Sequence, residues 1–185
     1  MKNSNLTKIL RRSQFGNPLL RQKAKELSKN EILSPPIQGL IKNMLYNLEN
    51  KKYGVGLAAP QIGESIALSV ISIKPTPARP ELKRQELTIM NPKIVQEYGR
   101  RTGMYEGCIS GPDLFAEVLR YKRIRLSWLD EKAKKHERDF DGFMAHVLQH
   151  EIDHVNGILF VDRVKDTKSY MTISEYKKRV AKNEK

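Results

Sequence analysis

Three of the four histidines, His146, His150 and His154, recur at four-residue intervals within nine residues. A helix is the conformation that brings all three to one face, one turn apart. The flanking residues agree with that conformation. Asp141 stands where an N-cap is wanted, and Asn156-Gly157 supplies a stop, which predicts a helix over 142–155. A fold for this chain has to be built around that helix.

The remaining pattern supplies strands to pack against it. Asn17-Pro18 followed by Leu19, Leu20, Ala24 and Leu27 predicts a short helix reaching about Ser28. Ile37, Leu40, Ile41, Met44, Leu45 and Leu48, after Ser34-Pro35-Pro36, form the apolar face of a second one. Residues 54–61 are too rich in Gly and Pro for a helix and too apolar for an exposed loop. Residues 66–73 form a buried strand on this reading, 74–80 a proline-rich loop, and 87–90, 94–98 and 123–128 further strands. Asp130-Glu131-Lys132 predicts a hairpin turn into an edge strand near 134–140, and 158–161 is a short apolar run. A last helix is expected to start near Ser174. Antiparallel strands with segregated helices make the expected class α+β, mostly antiparallel strands packed around a central metal-binding helix.

Composition narrows the function classes. Of 185 residues, 39% are hydrophobic and 30% charged, enough apolar material for a core and incompatible with disorder of the whole chain. No apolar run is long enough to span a bilayer. A single cysteine cannot make an internal disulfide. The net charge of +13 sits at the two ends: residues 1–29 carry +7, residues 163–185 carry +5, and 30–162 only +1. Basic ends can attract a polyanion such as RNA, or serve as solvated faces.

His150-Glu151-Ile152-Asp153-His154 is an H-E-x-x-H sequence. On a helix its two imidazoles can share one metal ion, and the intervening carboxylate can act as general base toward a water on that ion. Two histidines leave such a site one protein ligand short. A metzincin pattern would put a third His at position 160, where Phe160 stands. A thermolysin-like arrangement would use Glu175, and Cys108, flanked by Gly107 and Gly111, is the other candidate. His146 adds no recognised metal geometry at its spacing and is expected to line a pocket or stand partly exposed.

Gly54–Gln61 (GVGLAAPQ), Glu106–Ser110 (EGCIS) and Gln149–His154 (QHEIDH) resemble, in order, the three signature motifs of the peptide deformylases, and 15–21 (FGNPLLR) is similar to that family's opening segment. The resemblance runs from about residue 8 to about 165. It implies a catalytic domain over 1–165, with 166–185 as a basic tail. It further implies that Cys108, His150 and His154 bind the metal, with a water in the fourth position, and that Glu151 takes and returns a proton. Gln61 and the backbone N–H of Ile109 would donate to the oxyanion, and Gly56 and Val55 would face the substrate. The expected metal is Fe(II), with Zn(II) or Ni(II) able to substitute.

The expected activity is removal of the N-formyl group from the N-terminal methionine of nascent chains, releasing formate. The rivals are an HExxH peptidase using Glu175 and a non-catalytic binder of formylated peptides or RNA. Phe115 departs from the resemblance, standing where many members carry an Arg that helps hold the peptide; Arg120 is the residue expected to compensate, and His146 to narrow or polarise the side-chain pocket. With only about seven residues ahead of the opening segment, the expected location is cytoplasmic. The expected partners are formyl-Met nascent peptides and, through the basic ends, the ribosome, with no membrane and no DNA.

Overall fold

The computed structural model describes residues 10–50, 54–76 and 79–179. Helices α1 (Lys29–Ile32) and α2 (Pro35–Glu49) precede the strands β1 (Gly56–Ala58), β2 (Leu68–Ile73), β3 (Gln85–Cys108), β4 (Gly111–Leu129) and β5 (Lys135–Asp141). Then come α3 (Gly142–Val155), β6 (Met171–Thr172) and α4 (Ile173–Arg179). The strands form one sheet in the order β1-β2-β3-β4-β5, with β6 on β4, and each of these pairings is antiparallel. Mixed helix and antiparallel sheet is the class that the strand pattern predicts.

Helix α3 packs against β1, β2, β4 and β5. Its apolar residues Met144, Val147, Leu148 and Ile152 share a core with Ile71, Ile89, Ile124, Leu126 and Trp128. A second core lies between α2 and the sheet, where Ile41, Met44 and Leu48 meet Leu57, Leu68, Val70 and Met90. The helix bearing the histidines is thus buried on several sides, and its polar residues are buried with it. Asp141 occupies the N-cap position of α3, but its side chain makes no capping bond.

The region after Pro18 departs from the helical reading. A single 3-10 turn, Pro18–Arg21, is capped by the Asn17 side chain at Leu19 N–H. From Gln22 the chain runs extended to Ser28, because distant partners take its backbone groups. Ala24 N–H donates to Val155 O at 2.8 Å and Lys25 N–H to Ser65 O at 2.9 Å. The Asn91 amide holds both the N–H and the C=O of Leu27. The apolar spacing there reflects burial against the sheet and α3, which tertiary contact can impose without a helix.

The strands expected at 87–90 and 94–98 are parts of one strand, β3, which continues to Cys108 through a series of register shifts. Strand β4 returns from Gly111, so the tip of this long hairpin holds Cys108 at its turn. Bulges and surface charge hid the continuity: β3 alternates irregularly, and Gly99 has a φ of +77°. The expected turn at 130–132 is present, with Asp130 Oδ1 accepting from the N–H groups of Lys132 and Lys134. Of the expected loop at 74–80, residues 77–78 lie outside the described residues.

Residues 165–179 fold back onto the body. Strand β6 pairs with Leu114 and Phe115 of β4, and Tyr176 of α4 stacks on Phe115 with ring centroids 4.3 Å apart.

Gly157 ends α3 in the left-handed region, with φ +73°, and leaves no room for a side chain. A Cβ there would stand 2.6 Å from Arg21 O and 2.7 Å from Arg21 C. Because both the backbone conformation and a backbone contact oppose it, Gly157→Ala is expected to cost about 2 kcal/mol or more. A lowered urea midpoint at unchanged slope would register this, and a wild-type midpoint would contradict it.

Candidate active site

Two structural pieces build the centre. Helix α3 supplies His150, Glu151 and His154, and the tip of the β3–β4 hairpin supplies Cys108. Their candidate ligand atoms, the Cys108 thiol and the imidazole nitrogens of His150 and His154, lie within 4.8 Å of one another. Cys108 Sγ is 3.2 Å from His154 Nε2. A tetrahedral ion with bonds of about 2.0–2.3 Å spaces its ligands about 3.4–3.6 Å apart, so these residues fit one divalent cation. One thiolate with two imidazoles is a donor set suited to Zn(II), Fe(II) or Ni(II) rather than to Ca²⁺ or Mg²⁺.

Burial by itself pushes the Cys108 thiol up, but the His154 and His150 rings beside it outweigh burial and hold it well below the usual thiol range. The thiolate is the ligating form. Burial would lower His150, yet the Glu106 carboxylate and Cys108 raise it well above the ordinary imidazole value.

His150 is oriented by Glu106. Its Nδ1 lies 2.7 Å from Glu106 Oε2, which turns Nε2 toward Cys108 and fixes the ring. Glu106 is itself buried and accepts from Arg120 Nε at 2.5 Å and Arg120 Nη2 at 3.0 Å, with His146 Nε2 lying 2.5 Å away. Burial alone would raise its carboxyl. The charge of His150 and these contacts prevail and keep it well below the usual range.

Glu151 follows His150 on α3. It is buried, its Oε2 has no hydrogen-bond partner, and burial raises its pKa despite the neighbouring histidines. An orphaned carboxylate oxygen is costly unless a bound group completes its hydrogen bonds. Gly56 lies directly against it: a Cβ on Gly56 would stand 2.2 Å from Glu151 Oε1 and 2.6 Å from its carboxyl carbon. Strand β1 and α3 therefore touch through a glycine, and that contact packs the carboxylate in place.

Gln61 is buried in a 3-10 turn after β1. Its Oε1 accepts from Ala58 N–H at 2.8 Å, which leaves its NH₂ aimed at Cys108 Sγ, 3.3 Å away, and at Ser110 Oγ, 3.4 Å away. A donor anchored through its own acceptor is one prearranged for negative charge beside the thiolate. Ile109 occupies the hairpin turn between Cys108 and Ser110, and Phe15 N–H holds Ser110 O at 2.8 Å.

Arg120 and His146 stand differently from the sequence reading. Arg120 is buried, and its guanidinium is engaged by Glu106 and Asp153 rather than held ready for a peptide. His146 is likewise buried against Glu106. Val55 is half-buried, and its carbonyl accepts from Ser72 N–H. Phe115 lies across Gly107, where a Cβ would come within 2.6 Å of the ring, and it stacks on Tyr176. Glu175 sits on α4 and pairs with Lys178 at 2.8 Å, away from the cluster of ligand atoms, so the peptidase reading that needed it is not favoured.

Glu106 and Asp153 are the residues to which sequence reasoning gave no role. Both were visible as acids beside candidate ligands, one in Glu106-Gly107-Cys108 and one inside the H-E-x-x-H sequence. Replacing Glu106 by Gln keeps the shape but removes the charge that fixes His150. Metal affinity is expected to fall about 10- to 100-fold. Chelator competition with Zn(II) measures this, and an unchanged dissociation constant would contradict the role.

The model for polypeptide deformylase matches residues 9–170. The peptide deformylase of Leptospira biflexa is 40% identical over 161 residues, covering 85% of this chain and 88% of the relative. Peptide deformylase 2 of a Nostoc species is 36% identical over 173 residues, covering 93% and 95%. Among solved structures, a class I type b peptide deformylase of Acinetobacter baumannii with bound Met-Ala-Ser superposes with a TM-score of 0.82 at 31% identity, covering 86% of this chain and all of that one. A Synechococcus elongatus enzyme in complex with actinonin gives 0.75 at 34% identity, covering 91% and 86%. With the matched segment taking in all three signature motifs and the residues gathered around Cys108, the chain belongs to the peptide deformylase family, metal-dependent hydrolases that remove the N-formyl group from nascent polypeptides.

Proposed function

We propose that Cys108, His150 and His154 hold a divalent cation, Fe(II) in the native protein with Zn(II) or Ni(II) as substitutes. The observation that carries this is the convergence of one thiol and two imidazoles within 4.8 Å. When bound, such an ion supplies Lewis acidity, lowering the pKa of a water and polarising a formyl oxygen.

The chain's own groups do the rest. Glu151, held by Gly56 with one oxygen free of protein partners, takes a proton from the attacking water as its oxygen adds to the formyl carbon. The Gln61 amide and the Ile109 N–H receive the developing oxyanion. Because the Gln61 amide is aimed before substrate arrives, it needs no reorganisation when charge appears. Glu151 then returns the proton to the methionine nitrogen as the C–N bond breaks, leaving formate and a free N-terminus. Val55 and Gly56, at the start of β1, offer backbone groups to the peptide. Arg120 and His146 act on the centre through Glu106.

In this reading residues 1–165 are the catalytic domain and 166–185 an appended basic segment. No helix among the described residues is long and apolar enough to cross a membrane. We place the protein in the cytoplasm, where formylated nascent chains arise and a reducing environment protects an iron–thiolate site. The basic ends support contact with the ribosome. Co-sedimentation that weakens steeply with salt, and weakens on removal of residues 166–185, is the expected behaviour; salt-insensitive binding would contradict an electrostatic contact.

Formate release from a formyl-Met tripeptide, with protein purified anaerobically and loaded with Fe(II), tests the reading. Glu151→Gln should retain metal and lose about 10²- to 10⁴-fold in turnover. Cys108→Ala should lose metal and activity together. Gly56→Ala should keep metal and fall about 10²-fold, since it displaces Glu151 without touching a ligand. Full turnover in Glu151→Gln would overturn the assignment.

A further inference from the structure

A line of charged side chains leads from the centre to the surface. Glu106, which orients His150, binds Arg120 through two nitrogens. Arg120 Nη1 also donates to Asp153 Oδ2 at 2.8 Å. Asp153 in turn receives Arg163, with Nη2 2.7 Å from Oδ1 and Nε 3.2 Å from Oδ2. Glu106, Arg120 and Asp153 are buried, whereas the Arg163 side chain is 47% exposed. Arg163, Asp153 and Arg120 together line a recess of about 680 Å³ beside α3.

The charges in this line do not balance without its outer member. A histidine bound to a metal is neutral, so Glu106 and Asp153 are two buried carboxylates with Arg120 as the one buried cation between them. If Asp153 lacked another partner, it would compete with Glu106 for the single Arg120 guanidinium. Arg163 supplies the second positive charge, and its two-pronged grip suits a carboxylate as a lysine ammonium would not.

We infer that Arg163 is a positioning residue for the metal centre: by satisfying Asp153 it leaves Arg120 to Glu106, and so keeps Glu106 aligned on His150. The inference rests on the reading of Cys108, His150 and His154 as metal ligands. Arg163 bonds to Asp153 rather than to the ligands, and acts through three intervening side chains.

The test compares wild type with Arg163→Met, Arg163→Lys and Arg21→Met. The last removes the cation of a nearby surface pair, Arg21 with Asp162, that makes no hydrogen bond to Asp153, Arg120 or Glu106. Each protein is titrated with Co(II) under chelator competition, and the absorption spectrum of the bound Co(II) is recorded. Arg163→Met is expected to bind Co(II) about 3- to 10-fold more weakly, less than the loss that follows removal of a ligand's immediate partner, and with an altered spectrum. Arg163→Lys should recover part of the affinity, and Arg21→Met should match wild type. Wild-type affinity and spectrum in Arg163→Met overturn the inference, even if its melting temperature falls, because Arg163 is then only a surface clamp. Should Arg163→Met fail to fold, Arg163→Lys decides: a smaller change in the same direction supports the inference, and identity with wild type overturns it. Folded wild type that binds no Co(II) would remove the metal reading itself and the inference with it, an outcome visible in the first titration.

Discussion

A buried carboxylate at position 106 is the constraint around which this structure is organised. Leaving Glu106 charged inside the protein would cost several kcal/mol without partners. It meets that cost with Arg120, His146 and His150 at once. These partners come from two pieces of the fold: Arg120 from the returning strand of the hairpin, His146 and His150 from successive turns of α3. The carboxylate therefore does for tertiary structure what it does for chemistry. It clamps the hairpin that carries Cys108 to the helix that carries the two histidines.

The two halves of the centre are prepared in opposite ways. On the side of His150 the ring is held by Glu106, and the network extends through Arg120 and Asp153 to Arg163. On the side of Glu151 the packing is tight, a glycine fills the contact, and one carboxylate oxygen has no protein partner. A site that must hold a cation needs rigid, charge-balanced ligands, and a site that must move a proton needs a group whose hydrogen bonds are completed by the reactants. On the proposed reading, that difference in environment divides these roles between adjacent residues of one helix.

Much of this was legible in the sequence because it is local. The four-residue spacing of His150 and His154, the glycines around Cys108 and the Gly/Pro-rich stretch ending at Gln61 are patterns that short-range geometry imposes. The β1–α3 contact through Gly56 and the grip of Glu106 on His150 join residues 95 and 44 positions apart, and no periodicity announces them. Arg120 and His146 were read as facing a peptide because surface chemistry is the default for charged and polar side chains. Their burial follows from the need to neutralise Glu106, which is a property of the assembled fold. The segment after Pro18 misled for a related reason, since Ala24 and Leu27 are spaced for a helix, but their backbone groups are held by Val155 O and by the Asn91 side chain.

The central claim is that one cysteine from the hairpin and two histidines from α3 form a single metal centre. X-ray absorption at the metal edge of the purified, metal-loaded protein tests it most directly. The account predicts one ion per chain, with one sulfur and two imidazole nitrogens as the protein's ligands. A stoichiometric ion whose spectrum lacks the sulfur would contradict it, because the hairpin would then have no part in the centre.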